Sequence, residues 1–376
     1  MNDIETTYTH TYSTTFIVDP DPEFSRMKEM GLERYERLFF VMDENVEKLY
    51  GKAILEKTCA SMDKTFVMKV KPEEHTKSID FYPELVGFLE SHTAGRYDAV
   101  IAVGGGIVID LVSFTVSTYM RGLPFFIIAT TLIGQTDAST AGKTCLNSKN
   151  AKNLLGTFYY PIVVYNAVEM LRTCPKRITR QGLSEAFKYS LLTDGELLPD
   201  IIAFTNRPFD SSVMERIVRK TILSRIQIRK VDPLASNLGH TFGHALEKYS
   251  GYTVLHGDAI LTGTVMAITY AVEHKLMEEE EKERIFGLMC QAHLNIYIPE
   301  DFEPHRLVEY MRKDKKSSAS KLHLVMIHGI GRPYRGETPF YEADYEEVED
   351  FLNRYTAAYP YKKDHYAEYL MQEELD

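Results

Sequence analysis

Three histidines and one glutamate have the residue types and the spacing of a divalent metal site. His240 and His244 stand at positions i and i+4, so that on a helix their imidazoles share one face. His256 follows soon after, and Glu185 lies in an earlier apolar stretch. A carboxylate and two imidazoles with an open position are typical of a catalytic site for a divalent ion, often zinc. Any one of these histidines alone indicates a structural role, whereas the group predicts a metal site. The spacing leaves open which two histidines bind the ion.

Three consecutive glycines, Gly104, Gly105 and Gly106, are suited to binding a phosphate group. They follow the apolar run 99–103 and precede a helix-like run at 107–118. Glycines at this place let the backbone approach a pyrophosphate, and the N–H groups at a helix start attract anions. The motif is not GxGxxG, and the alternative is a tight turn that binds nothing. Asp110 lies on the first turn of the helix, where it is expected to bind a cofactor or to cap the helix.

Cationic side chains lie beside glycine, threonine and asparagine in the middle of the chain. Arg121, Lys143 and Lys152 belong to one such stretch, and Lys315 and Lys316 form a second patch. Small neighbours let a cationic side chain reach a bound anion, so the pattern predicts a phosphorylated ligand. The usual alternative for cationic residues is a solvated face. It fits less well here because the first stretch is rich in glycine and threonine.

Two kinds of secondary structure must position these residues. Short apolar runs that suit strands buried on both faces alternate with helix-like segments in the first half of the chain. The runs are at residues 38–42, 65–68, 99–103 and 125–128, and the helix-like segments include 44–57 and 82–92. From about residue 170 helical periodicity dominates, at 183–192, 213–229, 240–249, 258–274 and 279–293, with a late strand at 322–330. We predict an α/β domain with a parallel sheet over residues 1–170 and a mostly α-helical domain over residues 171–376.

Length and composition exclude several classes of protein. The chain of 376 residues exceeds the length at which one core stops growing, which favours two domains. Its 54 acidic and 43 basic residues give a net charge of -11, which argues against a general nucleic-acid partner. The four cysteines are widely spaced, as in proteins of a reducing cytoplasm. No apolar run approaches the roughly 18 residues of a membrane span, and the first residues lack the pattern of a signal peptide. We therefore expect a cytoplasmic protein without a membrane partner.

Read in order, the motifs resemble those of the sugar-phosphate cyclases, the family that includes 3-dehydroquinate synthase. Residues 237–247 match the pattern NLGHTFGHAxE almost letter for letter. Residues 104–160 resemble the series GGGxxxD, YMRG, TTLxxQxD, GKT and GKNxxGxFYxP. Further stretches resemble GLAEvxK, HGE, DKK, DxxV and ExxK, at residues 182–188, 256–258, 314–316, 43–46 and 74–77. The resemblance covers roughly residues 38–331.

This resemblance implies an N-terminal NAD-binding domain, a C-terminal helical metal-binding domain with the active site in the cleft, and a homodimer. It implies that zinc (Zn2+, or Co2+) is bound by Glu185, His240 and His256, with His244 as a catalytic or substrate-contacting residue. The residues implied to line the substrate pocket are Asp137, Lys143, Lys152, Asn153, Lys188 and Asn237. The substrate phosphate would be bound by Arg121 with a lysine of the pair Lys315 and Lys316. The residues implied to bind NAD are Asp43, Glu74, Lys77, Gly104, Gly105, Gly106, Asp110, Thr130 and Thr131.

The implied reaction converts a heptulose phosphate into a carbocycle with release of phosphate. It proceeds by transient oxidation, elimination of phosphate, reduction and an intramolecular aldol step. Because the hydride returns to the substrate, NAD is regenerated in each turnover and the enzyme is a carbon–oxygen lyase. The partner that this implies is a small phosphorylated sugar.

Some positions depart from the family pattern. Four residues before its NLGH motif, 3-dehydroquinate synthase carries an arginine that helps bind the substrate carboxylate, and this chain has Pro233 there. The connection before the motif is short, so an upstream family lysine corresponds to either Arg229 or Lys230. Residues 138–143 read ASTAGK in place of SSVGGK, and Ala129 replaces the proline of PTT. These departures favour another substrate, such as sedoheptulose 7-phosphate.

Other positions favour a reaction like that of 3-dehydroquinate synthase. Asn237, His244 and the stretch 314–316 are the residue choices of that enzyme. Residue by residue, the sequence favours the 3-dehydroquinate synthase type, with a sedoheptulose 7-phosphate cyclase as the alternative. A second alternative is an NAD- and metal-dependent alcohol dehydrogenase, a related group that would produce net NADH. A third is a binding or scaffold protein without activity, which would need the metal ligands to be lost.

Overall fold

The contacts within the chain divide it into two compact units. The computed structural model describes residues 11–58, 62–149, 152–294, 296–299, 301–312, 321–336 and 338–358. Unit 1 comprises the residues up to Thr130 together with Ala138–Glu169, and unit 2 comprises Thr131–Asp137 together with the residues from Met170 onward. A domain boundary at residue 170 stays a prediction. Lys315 and Lys316 lie outside the described residues.

Unit 1 is built on a parallel sheet of six strands in the order β1-β8-β5-β4-β2-β3. Two further strands, β6 and β7, form an antiparallel pair. Every residue of β2, β4, β5 and β8 is buried, as expected for strands covered on both faces. The strands are β1 Thr15–Asp19, β2 Leu38–Asp43, β3 Thr65–Val70, β4 Ala99–Gly104, β5 Phe125–Ala129, β6 Lys143–Leu146, β7 Leu155–Phe158 and β8 Val163–Ala167.

The described part of unit 1 contains the helices α1 Glu44–Thr58, α2 Tyr82–Ser91 and α3 Gly106–Thr118. Helix α3 is mostly apolar and buried, and with α2 it forms one core against the sheet. The four predicted strands and the three predicted helix segments of this half are confirmed. Two strands of the sheet, β1 and β8, were not predicted.

Unit 2 is mostly helical, which confirms the predicted class of the second half. Its helices are α4 Lys176–Leu192, α5 Leu198–Thr205, α6 Ser211–Val231, α7 His240–Tyr249, α8 His256–Glu273, α9 Glu279–Gln291, α10 Pro304–Arg312 and α11 Tyr345–Ala358. The single late strand that was predicted at 322–330 is two short strands in the structure. The described residues of this unit include the strands β9 Leu322–Leu324, β10 Ile327–Gly329, β11 Arg332–Pro333 and β12 Tyr341–Ala343. Among the described residues, no helix has the length and apolar character needed to cross a membrane.

Helices α7 and α8 approach each other unusually closely because glycines line their contact. A Cβ atom at Gly263 would lie 2.2 Å from the carbonyl oxygen of Gly239. Gly239 also has a φ of 75°, in the left-handed region that favours glycine, where the chain enters α7. The close crossing brings the first turns of both helices together, and these turns carry His240 and His256.

Candidate active site

Glu185, His240 and His256 come together in unit 2 from three different helices. Their candidate ligand atoms all lie within 4.8 Å of one another. Oε1 of Glu185 is 4.0 Å from Nε2 of His240 and 3.7 Å from Nε2 of His256. This oxygen is buried and accepts no hydrogen bond from any described residue. The spacing is too long for hydrogen bonds, whereas three donors around one divalent ion, each about 2.0–2.2 Å from it, would fill the gap. The donor set therefore fits a divalent metal ion.

The start of α8 is fixed against α4, which places His256 beside Glu185. Oε1 of Gln181 accepts a hydrogen bond from the backbone N–H of Gly257 at 2.6 Å. Arg180 forms a buried ion pair with Asp258, with Nη2 and Oδ1 2.9 Å apart. These two contacts satisfy groups at a helix start that would otherwise be unpaired, so they determine where His256 lies.

The hydrogen bonds of the two histidines indicate which ring nitrogen can bind a metal. Nδ1 of His240 is 3.1 Å from the carbonyl oxygen of Leu238, which can only accept. Nδ1 of His256 is 3.3 Å from Oε2 of Glu247. With the proton on Nδ1 in each ring, Nε2 presents its lone pair toward Glu185. Burial works against a charge on His256, but the neighbouring carboxylate of Glu247 outweighs it and raises the pKa of the imidazole.

His244 lies in the same cluster and belongs to a second possible ligand set. Its ring centroid is 5.1 Å from that of His240 and 6.0 Å from that of His256. Candidate ligand atoms of His244, Glu247 and His256 also lie within 4.8 Å of one another. All three histidines are thus brought together, and the unpaired oxygen of Glu185 favours the set that contains it.

Lys188 occupies the other carboxylate oxygen of Glu185. Its Nζ is 2.6 Å from Oε2 of Glu185, and both side chains are only 2% exposed. Burial lowers the pKa of Lys188, although Glu185 opposes this effect. The same Nζ lies 4.6 Å from the ring centroid of Tyr189. The lysine therefore directs the free oxygen of Glu185 toward the two imidazoles.

Asp137 and Asn237 are the other predicted pocket residues of unit 2. Asp137 is ion-paired with Arg225 on α6. Asn237 uses its side-chain amide to donate a hydrogen bond to the carbonyl oxygen of Leu234 at 3.0 Å. Burial lowers the pKa of Arg225, and the charge of Arg229, one helical turn away, lowers it further. Of the two candidates for the upstream cation, Arg229 therefore lies near the arginine that binds Asp137.

In unit 1, predicted cofactor-binding residues lie where adjacent parallel strands end. Asp43 ends β2, Gly104 ends β4 and is followed by Gly105 and Gly106, and Thr130 follows β5. The N–H of Thr130 donates a hydrogen bond to the carbonyl oxygen of Gly104 at 3.1 Å. Burial raises the pKa of the Asp43 carboxyl. In open parallel sheets, ligands bind at this edge.

The glycine turn has room for a ligand at one of its positions. A Cβ at Gly104 would lie 2.9 Å from Val108, so packing alone requires glycine there. At Gly106 the nearest atom to such a Cβ belongs to Ala138 and is 3.8 Å away, so packing does not require glycine at this position. No side chain among the described residues caps the start of α3, and the first N–H groups of this helix lie at the glycine turn. The free space and the uncapped helix start fit a phosphate-containing cofactor.

Lys77 and Asp110, both predicted to bind the cofactor, form an ion pair with each other. Nζ of Lys77 is 2.5 Å from Oδ2 of Asp110. Burial works against the charge of Lys77, but Asp110 outweighs it and raises the lysine's pKa. Cys145 contacts both groups, and burial raises the pKa of its thiol to about 12. Glu74 accepts a hydrogen bond from Asn147 at 2.7 Å and lies 3.4 Å from Nζ of Lys152.

The remaining predicted residues in the described part of the chain are Arg121, Lys143, Asn153 and Thr131. Arg121, Lys143 and Asn153 are exposed in unit 1. Arg121 and Asn153 have positive φ values of 66° and 52°. Thr131 belongs to unit 2, where its hydroxyl accepts a hydrogen bond from the N–H of Gly134 at 3.1 Å.

Sequence reasoning missed three residues of these clusters, namely Glu247, Arg225 and Cys145. Glu247 is three positions after His244, a spacing that places both on one helix face. Arg225 precedes Arg229 by one helical turn. No local signal marks Cys145, because its neighbours Lys77 and Asp110 come from distant parts of the chain.

Comparison with known proteins places the chain among cyclases. The family model described as 3-dehydroquinate synthase N-terminal matches residues 67–181, and the model described as 3-dehydroquinate synthase C-terminal matches residues 182–317. The 3-dehydroquinate synthase of Desulforamulus reducens is 32% identical over 306 residues, which cover 79% of this chain and 85% of the relative.

Two solved structures show the same fold. A 2-deoxy-scyllo-inosose synthase in complex with carbaglucose-6-phosphate, NAD+ and Co2+ is 19% identical, has a TM-score of 0.80, and is matched over 89% of this chain and 95% of its own. A 2-epi-5-epi-valiolone synthase from Streptomyces hygroscopicus subsp. jinggangensis with NAD+ and Zn2+ bound is 22% identical, has a TM-score of 0.82, and is matched over 94% of this chain and 100% of its own. The predicted fold class is confirmed, and the predicted cofactors match the ligands of these structures.

The family matches also confirm the predicted kind of protein, an enzyme of the lyase-type cyclases. They span both the α/β region and the helical region that carries the metal-site cluster. The chain belongs to the 3-dehydroquinate synthase family.

Proposed function

We propose that this chain is an NAD- and divalent-metal-dependent cyclase that converts a heptulose phosphate into a carbocycle and releases phosphate. The observation that carries the proposal is the buried Oε1 of Glu185, which accepts no hydrogen bond from the described residues and faces two imidazole nitrogens. Family membership supplies the reaction class. The titles of two structural neighbours name NAD+ with Co2+ or Zn2+, which supports the same cofactors here.

In this proposal, each residue in and around the candidate metal site has a distinct role. Glu185 Oε1 and the Nε2 atoms of His240 and His256 would hold the ion. When bound, the ion polarises hydroxyl oxygens and NAD+ accepts and returns a hydride. Lys188 holds the second oxygen of Glu185, so only one carboxylate oxygen remains for the ion. Glu247 keeps the proton on Nδ1 of His256 and fixes the plane of that ring. His244, beside both imidazoles, is positioned to exchange a proton with a bound hydroxyl group.

The cofactor and the phosphate require the other predicted residues. The turn of Gly104, Gly105 and Gly106 would bind the pyrophosphate of NAD through backbone N–H groups, with Asp43 and Thr130 on the neighbouring strands. We propose that the substrate phosphate is neutralised by Arg121 with Lys315 or Lys316, and that Lys143, Lys152 and Asn153 also contact the substrate. A phosphate group loses its hydration when it is buried, and this loss is costly unless cationic side chains pair with its charge.

Among heptulose phosphates, we propose 3-deoxy-arabino-heptulosonate 7-phosphate as the substrate. The relative quoted above is a 3-dehydroquinate synthase at 32% identity, whereas the two cyclases with other names are 19% and 22% identical. Asn237 and His244 agree with this choice. One observation favours a second candidate, sedoheptulose 7-phosphate: Pro233 stands where the family carries an arginine for the substrate carboxylate.

A phosphate-release assay tests the proposal. The protein is supplied with NAD+ and with Zn2+ or Co2+, and is offered 3-deoxy-arabino-heptulosonate 7-phosphate, sedoheptulose 7-phosphate and glucose 6-phosphate in parallel. We expect phosphate release from the first compound without accumulation of NADH. Release from the second compound alone would assign the second candidate. Net NADH production without phosphate release would contradict the cyclase and indicate a dehydrogenase.

Variants connect the activity to the metal cluster. Glu185→Ala and His240→Ala should abolish phosphate release because each removes one ligand. The matched control is Glu347→Gln, since Glu347 forms a comparable pair with His274, 2.6 Å apart, outside the predicted ligand set. Full activity in Glu185→Ala would contradict the metal assignment. A homodimer and a cytoplasmic location remain predictions from the sequence.

A further inference from the structure

A partly buried ion pair joins Arg225 to Asp137 within unit 2. Nη1 of Arg225 contacts Oδ1 of Asp137, and the side chains are 14% and 32% exposed. The same nitrogen donates a hydrogen bond to the backbone carbonyl of Thr136 at 3.3 Å. Taking charges partly out of water has a desolvation cost, so such a pair is by itself weak evidence for a role in stability.

Asp137 ends a short segment, Thr131–Asp137, that packs with unit 2. Leu132 is completely buried, and a Cβ atom at Gly182 would lie 2.5 Å from it, so glycine on α4 makes room for this leucine. Thr136 is also completely buried, and its hydroxyl donates to the carbonyl of Leu132 at 2.8 Å. From Gly134 the backbone winds as a π-type turn, a rare form that is frequent at functional sites. Packing thus fixes the backbone up to residue 136.

The carboxylate of Asp137 is in contact with Arg225. The packing of Leu132 and Thr136 holds the backbone, and Arg225 contacts both the carboxylate and the preceding carbonyl oxygen. A guanidinium has a planar, rigid set of donors, so it sets the direction of the carboxylate as well as its charge.

Tyr189 connects this ion pair to the metal cluster. The guanidinium carbon of Arg225 lies 5.8 Å from the ring centroid of Tyr189, and Nζ of Lys188 lies 4.6 Å from it. Lys188 in turn holds Glu185 at 2.6 Å. Asp137, Arg225, Tyr189, Lys188 and Glu185 therefore form a continuous row of contacts inside unit 2.

We infer that Arg225 is a positioning residue that fixes the carboxylate of Asp137 for the reaction. The inference rests on the proposed function, in which Asp137 lines the substrate pocket. Arg225 acts through Asp137 and requires no contact with the substrate. It lies outside every stretch that carries the family resemblance, and α6 supplies it from the region before the short connection at 230–236.

The first test measures positioning without any need for turnover. Hydrogen–deuterium exchange is followed by mass spectrometry in peptides that cover residues 131–137, for the wild type and Arg225→Met. We expect several-fold faster exchange in this segment of the variant, because it loses its contact with α6. The matched control is Arg219→Met on the same helix, whose partner Glu215 is 2.8 Å away on the exposed side. Unchanged exchange in Arg225→Met would overturn the inference, even if the protein proved to have another activity.

The second test is a double-mutant cycle in kcat and KM. Arg225→Met is expected to lower kcat about tenfold or more, with little change in the KM for NAD+. In the background of Asp137→Asn, the same substitution should cost almost nothing, because the group it positions has gone. Independent, additive losses would show that Arg225 acts by another route and would overturn the inference.

A conservative variant keeps the test decisive if Arg225→Met folds poorly. Arg225→Lys retains the charge but loses the planar set of donors, so it should give intermediate kcat and intermediate exchange in residues 131–137. Bound metal should stay at the wild-type stoichiometry in both variants, since neither is a ligand. Wild-type kcat and exchange in Arg225→Lys would show that charge alone suffices and would contradict a positioning role. Absence of cyclase activity in the wild type would count against the proposed function, and the exchange result would still decide the role of Arg225.

Discussion

Each unit contains a buried pair of a lysine with a carboxylate, and the two pairs differ in what they leave unsatisfied. In unit 1, Lys77 and Asp110 lie 2.5 Å apart with side chains 11% exposed. In unit 2, Lys188 and Glu185 lie 2.6 Å apart with side chains 2% exposed. Residue types, distance and burial are similar, so none of these properties distinguishes the pairs.

The difference lies in the second carboxylate oxygen. Oε1 of Glu185 is buried without a hydrogen-bond partner among the described residues. Neither carboxylate oxygen of Asp110 is both buried and without such a partner. The pKa shifts agree: Asp110 outweighs burial and raises the pKa of Lys77, whereas burial outweighs Glu185 and lowers that of Lys188. The comparison teaches that a buried ion pair indicates a metal site only when it leaves an oxygen directed at other donors.

The largest expected effect comes from removing the negative charge of Glu185. Glu185→Gln should lose its bound metal and phosphate release, because a neutral amide is a poor ligand for a divalent ion. The loss of metal affinity should exceed the roughly 100-fold that removal of an outer partner can cost. Metal content after dialysis, measured by atomic absorption, checks this. Wild-type metal content in the variant would mean that His244, Glu247 and His256 form the ligand set.

Breaking the ion pair of Lys77 and Asp110 in unit 1 should lower the stability of the protein and leave its metal content unchanged. Asp110→Asn leaves the buried cation of Lys77 without its partner, at a cost of about 3–5 kcal/mol in the free energy of unfolding. Urea denaturation measures the loss, and metal content should be unchanged. A variant as stable as the wild type would show that Asp110 does not neutralise Lys77, and the contrast between the pairs would fail.

A smaller effect is expected at the outer partner of His256. Glu247→Gln weakens the hydrogen bond that fixes the ring, so metal affinity should fall by about 10- to 100-fold. Titration of the metal-free protein with Co2+, followed by absorbance, gives the dissociation constant. The control is Glu347→Gln, which changes the pair with His274 and should leave the constant as it is. Equal effects in both variants would point to a general loss of stability in unit 2.

The smallest effect is expected at an ion pair whose two charges are exposed to water. Lys52 and Glu56 lie 3.8 Å apart on α1 with side chains 90% and 62% exposed. Glu56→Gln should change the free energy of unfolding by less than about 0.5 kcal/mol, as for exposed helix pairs in general. A change as large as that of Asp110→Asn would mean that burial is not what separates the two cases.

Periodic local patterns allowed most of the fold to be predicted. The helix at 240–249 was predicted with its observed bounds, because its apolar positions follow one face. Strands β1 and β8 were missed, since they pair with each other across most of unit 1's sequence and β8 contains Tyr165 and Asn166 within its run. Such pairing depends on neighbouring strands in the folded sheet, so a short stretch of the sequence gives little indication of it.

The candidate site was predicted where its residues lie in recognisable motifs. Glu185, His240 and His256 come together in the structure, and their role as metal ligands stays a prediction. Arg225 was not foreseen, because its partner Asp137 lies far away along the chain and an arginine within a helix resembles any solvated residue. The pairing of Lys77 with Asp110 was missed for the same reason, because the two residues lie far apart along the chain.

The candidate metal ligands Glu185, His240 and His256 come from three helices, α4, α7 and α8, and this has a consequence for the thermal unfolding of the protein. A bound ion would tie the three helices together, and unfolding of unit 2 would have to release it. The midpoint of thermal denaturation would then depend on the free metal concentration, with about 4.1 kcal/mol gained at a thousand times the dissociation constant. A melting temperature for this chain would describe the protein and its buffer together, and a chelator would lower it without touching a covalent bond.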